Sequence, residues 1–179
     1  MFDEARRVLR EARSAAVVAC YEYWLQKRAH AGRCLPGRQH LDPVEMKGFL
    51  EHVVLFDVVP DGVYNRFRHR LIGTHFAEVL GRDVTGMYIE HSGSLEIFDE
   101  VYRRFSTVVD EKALAYGVTR WPAKRGGLIP YEHLTLPLAA DGETVDMLFG
   151  VRCVFVEPPT PVHRYATAPL IHKLMPARS

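Results

Sequence analysis

The sequence predicts a single α+β domain: a five-stranded antiparallel sheet with helices on one face, preceded by a long N-terminal helix. Three observations carry that prediction. The β-branched run Val53–Val59 leads into Asp61-Gly62 and a second alternating segment, Val63–Ile72, which together read as a hairpin. A strongly amphipathic stretch from Ser94 to about Lys112 then reads as a helix, with Leu95, Phe98, Tyr102, Phe105 and Val109 on one face and Glu96, Glu100, Arg103, Arg104 and Glu111 opposite. Three more strand-like segments follow, at about Leu114–Ala123, Pro130–Ala139 and Glu143–Val156.

Taken in order, residues Asp3 to Ala31 read as one helix, because they contain neither Pro nor Gly and are rich in strong helix formers. Its second half is apolar on several sides, through Val17, Val18, Tyr21, Trp24 and Leu25, so more than one partner must cover it. Asp42-Pro43-Val44-Glu45 carries a capping carboxylate, a proline at the first helical position and a Glu three residues on, the signature of a second, short helix ended by Gly48. A two-residue loop at Asp61-Gly62 sets Phe56 opposite Phe67, Val54 opposite His69 and Asp57 opposite Arg66. Gly73-Thr74 is expected to close the second strand and cap a helix from His75 to Leu80, ended by Gly81. Lys124–Gly127 and Asp141-Gly142 supply the later turns. The final strand is apolar on both faces, which suits a central position paired with both Val53–Val59 and Pro130–Ala139. The chain divides into residues 1–33 (a helix suited to dimerisation), 34–157 (the α+β body) and 158–179 (an extended or disordered tail after Glu157-Pro158-Pro159).

Composition narrows the function classes. The sequence is 47% hydrophobic and 25% charged with a net charge of +1, so it reads as a soluble globular chain with no overall field for nucleic acid or an anionic membrane. Basic residues exceed acidic ones at both ends, and acidic residues exceed basic ones between 39 and 156, a distribution expected of solvated surface. Cys20, Cys34 and Cys153 are odd in number and far apart, which argues for free thiols in a reducing compartment. The N-terminus lacks the apolar core of a signal peptide, and the expected location is the cytoplasm.

The order of elements and several local motifs resemble one family. Tyr23-Trp24, Leu35-Pro36, Asp42-Pro43, the run Val53–Val58, Arg70-Leu71-Ile72-Gly73-Thr74, then Gly81-Arg82-Asp83-Val84-Thr85-Gly86, and later Leu136-Pro137-Leu138 with Asp146, are similar to short stand-alone bacterial proteins of the PAS-domain superfamily. The resemblance spans roughly Tyr21 to Val156, and Glu51 departs from it where a proline is expected. It implies a five-stranded PAS-like sheet and a sensory or regulatory module that binds a small molecule or pairs with another protein. The chain is too short to hold a kinase, cyclase or helix-turn-helix as well, so its output is expected to pass to a separate protein.

No enzyme motif stands out, and no catalytic or metal-binding residues are assigned. The nine histidines are not spaced as metal ligands, and no phosphate-cradling loop is visible. Glu132 and His133 are adjacent on a strand and point to opposite faces, so they cannot share a pocket. His75 is the one residue placed to ligate a haem, and the helix after the second strand lacks the cysteine of light-sensing PAS domains; no cofactor is expected. A ligand cavity implied by the PAS arrangement would be lined by Phe56, Phe67, His69, Phe98, Tyr102 and Phe105, with Arg70, Thr74 and His75 at its rim. The buried imidazole and phenol then need hydrogen-bond partners, which suits a compact apolar molecule with a carboxylate or carbonyl. Tyr21, Trp24 and Leu25, together with Val53, Leu55 and Val59 on the outer sheet face, are expected to form a homodimer interface. Two other readings remain open: a ligand-free structural interaction module, and a small hydrolase or isomerase on a related α+β cone.

Overall fold

The computed structural model describes residues 5, 7, 9, 10, 12–32, 34–92, 95–122, 128–154 and 170–173. In chain order these form α1 (Ala15–His30), β1 (Val53–Asp61), β2 (Tyr64–Ile72), α2 (Thr74–Leu80), α3 (Leu95–Glu111), β3 (Ala113–Pro122), β4 (Leu128–Leu138), β5 (Met147–Val154) and β6 (Leu170–Lys173). The strands build one antiparallel sheet in the order β2-β1-β5-β4-β3-β6. β5 lies between β1 and β4, as its doubly apolar pattern predicts. The five expected strands are present, and β6 adds a sixth on the β3 edge, from within the segment expected to be a tail. The expected Ser94 cap, the Lys124–Gly127 turn and the breaker after Glu157 lie outside the described residues. No helix among the described residues is long and apolar enough to cross a membrane.

Alternation along the strands sorts side chains onto two faces, and each face is covered. One carries Val53, Leu55, Glu132, Leu134, Leu136, Phe149, Val151 and Cys153, and α1 packs on it. Trp24 is fully buried there and its indole N–H donates to the Pro137 carbonyl at 3.0 Å, while Tyr23 meets Phe149 edge-on at 6.3 Å. The expected dimer patch is corrected by this packing. Tyr21 and Trp24 are buried in the chain's own core, Leu25 packs against that core, and Val53 and Leu55 are themselves buried within the chain. Burial also pushes the Cys20 thiol up and the Cys153 thiol to about 11, so both stay protonated.

Three local expectations shift. The N-terminal helix does not run unbroken: Ala5, Arg7 and Leu9 are helical, the chain turns at Arg10, bends at Arg13, and a new helix starts after Ser14. Ser14 is extended and its side chain accepts from the Ala16 N–H, so it is a helix cap where uninterrupted propensity predicted helix interior. The Asp42 segment forms successive turns bonded three residues apart instead of an α-helix, with Asp42 accepting from Val44 and Tyr23 clamping the Asp42 amide at 2.8 Å. The hairpin loop is Gly62-Val63, so Phe56 faces His69, Val58 faces Phe67 and Asp57 faces Arg68. Gly62 takes φ +64°; from Phe56 to Asp61 the two-residue slip keeps side chains on their expected faces, while the irregularity between Leu55 and Phe56 sets Val54 opposite Ile72, three residues from its expected partner His69.

Candidate functional site

The second face of the sheet carries Phe56, Phe67, His69, Tyr131, His133, Thr135 and Arg152, and α2 and α3 lie over it. Phe105 of α3 is its hub, 4.7 Å from Phe56 and 5.2 Å from Phe67 between ring centres. A cavity of about 30 Å³ remains between sheet and helices. That is room for about two water-sized groups, far below the volume that holds a drug-sized ligand. Phe56, His69, Phe98 and Phe105 line it, as the sequence anticipates. Phe76, Leu80, Ile89, Ser92, Ile97, Val101, Arg104, Tyr131 and Arg152 complete the lining.

Five of the anticipated ligand residues do not line it. Phe67 and Tyr102 pack against each other at 5.7 Å, beside the cavity. Arg70 is exposed where the β1–β2 register shifts, and Thr74 is exposed as the first residue of α2. Gly73, not Thr74, occupies the cap position; a Cβ there would collide with the Glu51 carbonyl, which explains the glycine in the Arg70–Thr74 motif. His75 stacks edge-on with His52 at 4.7 Å, away from the cavity.

The polar groups of this face have definite proton positions. The Ser92 hydroxyl donates to the Ile89 carbonyl at 2.8 Å, so at 3.0 Å it must accept from His69 Nε2, which leaves Nδ1 of His69 as an acceptor. Burial and the neighbouring Arg152 and Arg82 lower the His69 pKa to about 4, so the ring is neutral near pH 7. Arg104 donates through Nη1 to His133 Nε2 at 2.9 Å, so His133 carries its proton on Nδ1. Burial, with Arg104 and Arg152 beside it, holds His133 well below the usual imidazole range. Arg152 donates to the Leu134 and Val151 carbonyls and to Thr135 Oγ1. Burial and the nearby Arg104 pull its guanidinium down to about 10.

Neither arginine was expected here. Arg104 was placed on the solvent side of its helix, yet it is 3% exposed. With Val101, Phe105 and Val108 it forms an i, i+3, i+4, i+7 stripe, the buried one, so α3 is rolled about its axis away from the Phe98–Tyr102 side. Arg152 is the one charged residue in the run Met147–Phe155, a signal that a strand covered on both faces must hold a buried cation. Among the described residues no acidic residue lines the cavity. Among the described residues no group of three His, Cys, Asp or Glu could hold a metal ion.

The chain matches the family model described as PAS domain over residues 12–153. No curated protein matches it. Among solved structures it is similar to one described as an RNA-binding light-oxygen-voltage receptor, at 15% identity and a TM-score of 0.44, over 66% of this chain and 35% of that one. The match therefore spans about a third of that receptor's length.

Proposed function

This chain belongs to the PAS domain family, and from that premise we propose that it is a non-enzymatic sensory module whose signal is a small molecule held between the sheet and α3. The PAS fold supports a sensory or regulatory role in general. The observation that carries the finer reading is the cavity lined by Phe56, Phe98 and Phe105 and bounded by His69 with Ser92: an apolar chamber with few convergent polar groups. Its ionisable groups are two arginines, the Tyr131 phenol and a histidine held neutral, a set that binds and orients better than it moves protons at pH 7. The signal then leaves through a second copy of the chain or through a separate output protein, by a surface other than Tyr21 and Trp24.

Native mass spectrometry of the purified full chain, with a thermal-shift screen of small metabolites, tests this reading. A retained mass or a stabilising metabolite is expected, and Val101→Phe, which fills the cavity, should abolish it. A chain that retains nothing and is stabilised by nothing would make the cavity plain core and the protein an interaction module. Light scattering of the same sample reads the homodimer directly.

A further inference from the structure

Arg104 spends only one of its three nitrogens. Its Nη1 meets all the partners the side chain has: Glu100 at 3.4 Å, Thr119 at 3.3 Å and His133 at 2.9 Å. Nε and Nη2 are buried and have no hydrogen-bond partner among the described residues. These two nitrogens present their N–H bonds along the same edge of the guanidinium, the fork that grips a carboxylate through two parallel hydrogen bonds. The proton-bearing Nδ1 of His133 is a further buried donor without a partner there. Among the described residues, the unpartnered buried polar atoms of this face are therefore three donors against one acceptor, Nδ1 of His69.

Among the described residues none answers the Nε and Nη2 donors of Arg104. Glu100 reaches only Nη1, and its side chain is 47% exposed at the rim. Glu132, though buried, lies on the opposite face of the sheet, bonded to Arg13, Ser14 and Tyr116. Arg152, also in the cavity wall, adds a second cation whose hydrogen-bond partners are all neutral. A buried guanidinium left half-bonded is costly, and an anion on the orphan edge would remove that cost.

Resting on the ligand reading above, we propose that the Nε–Nη2 edge of Arg104 seats the carboxylate of a short-chain organic acid, with the acid's hydrocarbon end against Phe56, Phe98 and Phe105. The size follows from the cavity of about 30 Å³, room for about a carboxylate and a methyl group, which suits acids of the acetate class and not a nucleotide or a long fatty acid. Charge discriminates the acid from its amide, because only the anion offsets Arg104 and Arg152 together.

The test is calorimetric titration and thermal melting of the full chain with sodium formate, acetate and propionate at constant ionic strength. Sodium chloride, phosphate, acetamide and propionamide serve as comparisons. At least one carboxylate should bind and stabilise, the amides and chloride should not, and Arg104→Met should weaken that carboxylate by about tenfold or more. Arg104→Gln, which keeps a donor without the charge, gives the same readout should the methionine variant fail to fold. The guanidinium Nε–H resonance of Arg104 should shift on acetate addition, an effect a purely structural arginine would not show. Equal binding of acid and amide, or binding indifferent to Arg104, would overturn the carboxylate seat and leave the ligand cavity standing. Phosphate alone binding would make Arg104 a general anion site and overturn the organic acid. No binding by any probe overturns the seat as well; the ligand reading then stands or falls on the retained mass in native mass spectrometry.

Discussion

On the face of the sheet that α1 covers, the buried carboxylate of Glu132 accepts from the Arg13 N–H at 3.0 Å, the Ser14 N–H at 2.8 Å and the Tyr116 hydroxyl at 2.6 Å. On the face that α3 covers, Arg104 keeps two nitrogens without partners and Arg152 has only neutral ones. The two faces belong to the same strands: Glu132 and His133 are neighbours in β4, and Arg152 and Cys153 are neighbours in β5. One face is closed chemistry, a charge whose two oxygens are both bonded by the chain that folds over it. The other has an apolar wall, a small void and donors to spare. Stability and binding make opposite demands on buried polar groups, and here the pleat keeps them a sheet's thickness apart.

The sharpest blow to this contrast would come from the closed face. Trp24→Ala removes the largest fully buried side chain and its bond to Pro137, and should cost about 4 kcal/mol in urea denaturation. A loss under about 1 kcal/mol would mean that α1 does not cover the sheet as described, and would reopen Trp24 as an interface residue. Next, Glu132→Leu takes the acceptor from two backbone amides and a phenol, and should cost about 3 kcal/mol.

Acid probes the open face. The His69 pKa is lowered to about 4 in the folded chain, against an ordinary value of 6.5. Between those values the unfolded chain binds the proton and the folded chain does not, so stability falls as pH drops from 7 through 6.5 and levels off below about 4. His69 contributes about 3 kcal/mol of that loss, and His133 adds to it in the same direction. Melts of the parent and His69→Gln between pH 4 and 7 check this; parallel curves would show that His69 is not held neutral.

The smallest expected effect decides whether the two faces differ at all. Arg104→Met should change stability by less than about 1 kcal/mol, because the lost bonds of Nη1 are offset by relief of a half-bonded buried charge. A loss as large as that of Glu132→Leu would show that Arg104 is structural cement, and the contrast would collapse.

Much of the molecule was legible before folding was considered. Phe56, His69, Phe98 and Phe105 reach the cavity because strand alternation and helical spacing put them on one side of known elements. The hairpin is where the turn residues predict it, while its pairing differs by two residues up to Phe56 and by three beyond the bulge, since the period of a strand reports its face and loop geometry and bulges set its register. Thr74, Arg70 and His75 lie off the cavity because adjacency to a turn says nothing about which way a turn's side chains point. Arg104 was misread because helical period defines a stripe, and several stripes of one amphipathic helix satisfy it; contact with Phe56, Thr119 and His133 selects the one that is buried.

By itself, then, the sequence determined the kinds of element, their antiparallel order and the central place of the last long strand, because alternation, glycine turns and apolar runs are local properties of the chain. Only the tertiary structure decided the break at Ser14, the roll of α3 and the burial of Val53 and Leu55 within the chain itself. It also decided which charges are answered. Glu132 finds its donors 118 and 119 residues earlier in the chain, and Arg104 reaches His133 29 residues later. Whether a buried charge is satisfied depends on such distant groups meeting within about 3 Å, and no pattern along the chain records that meeting.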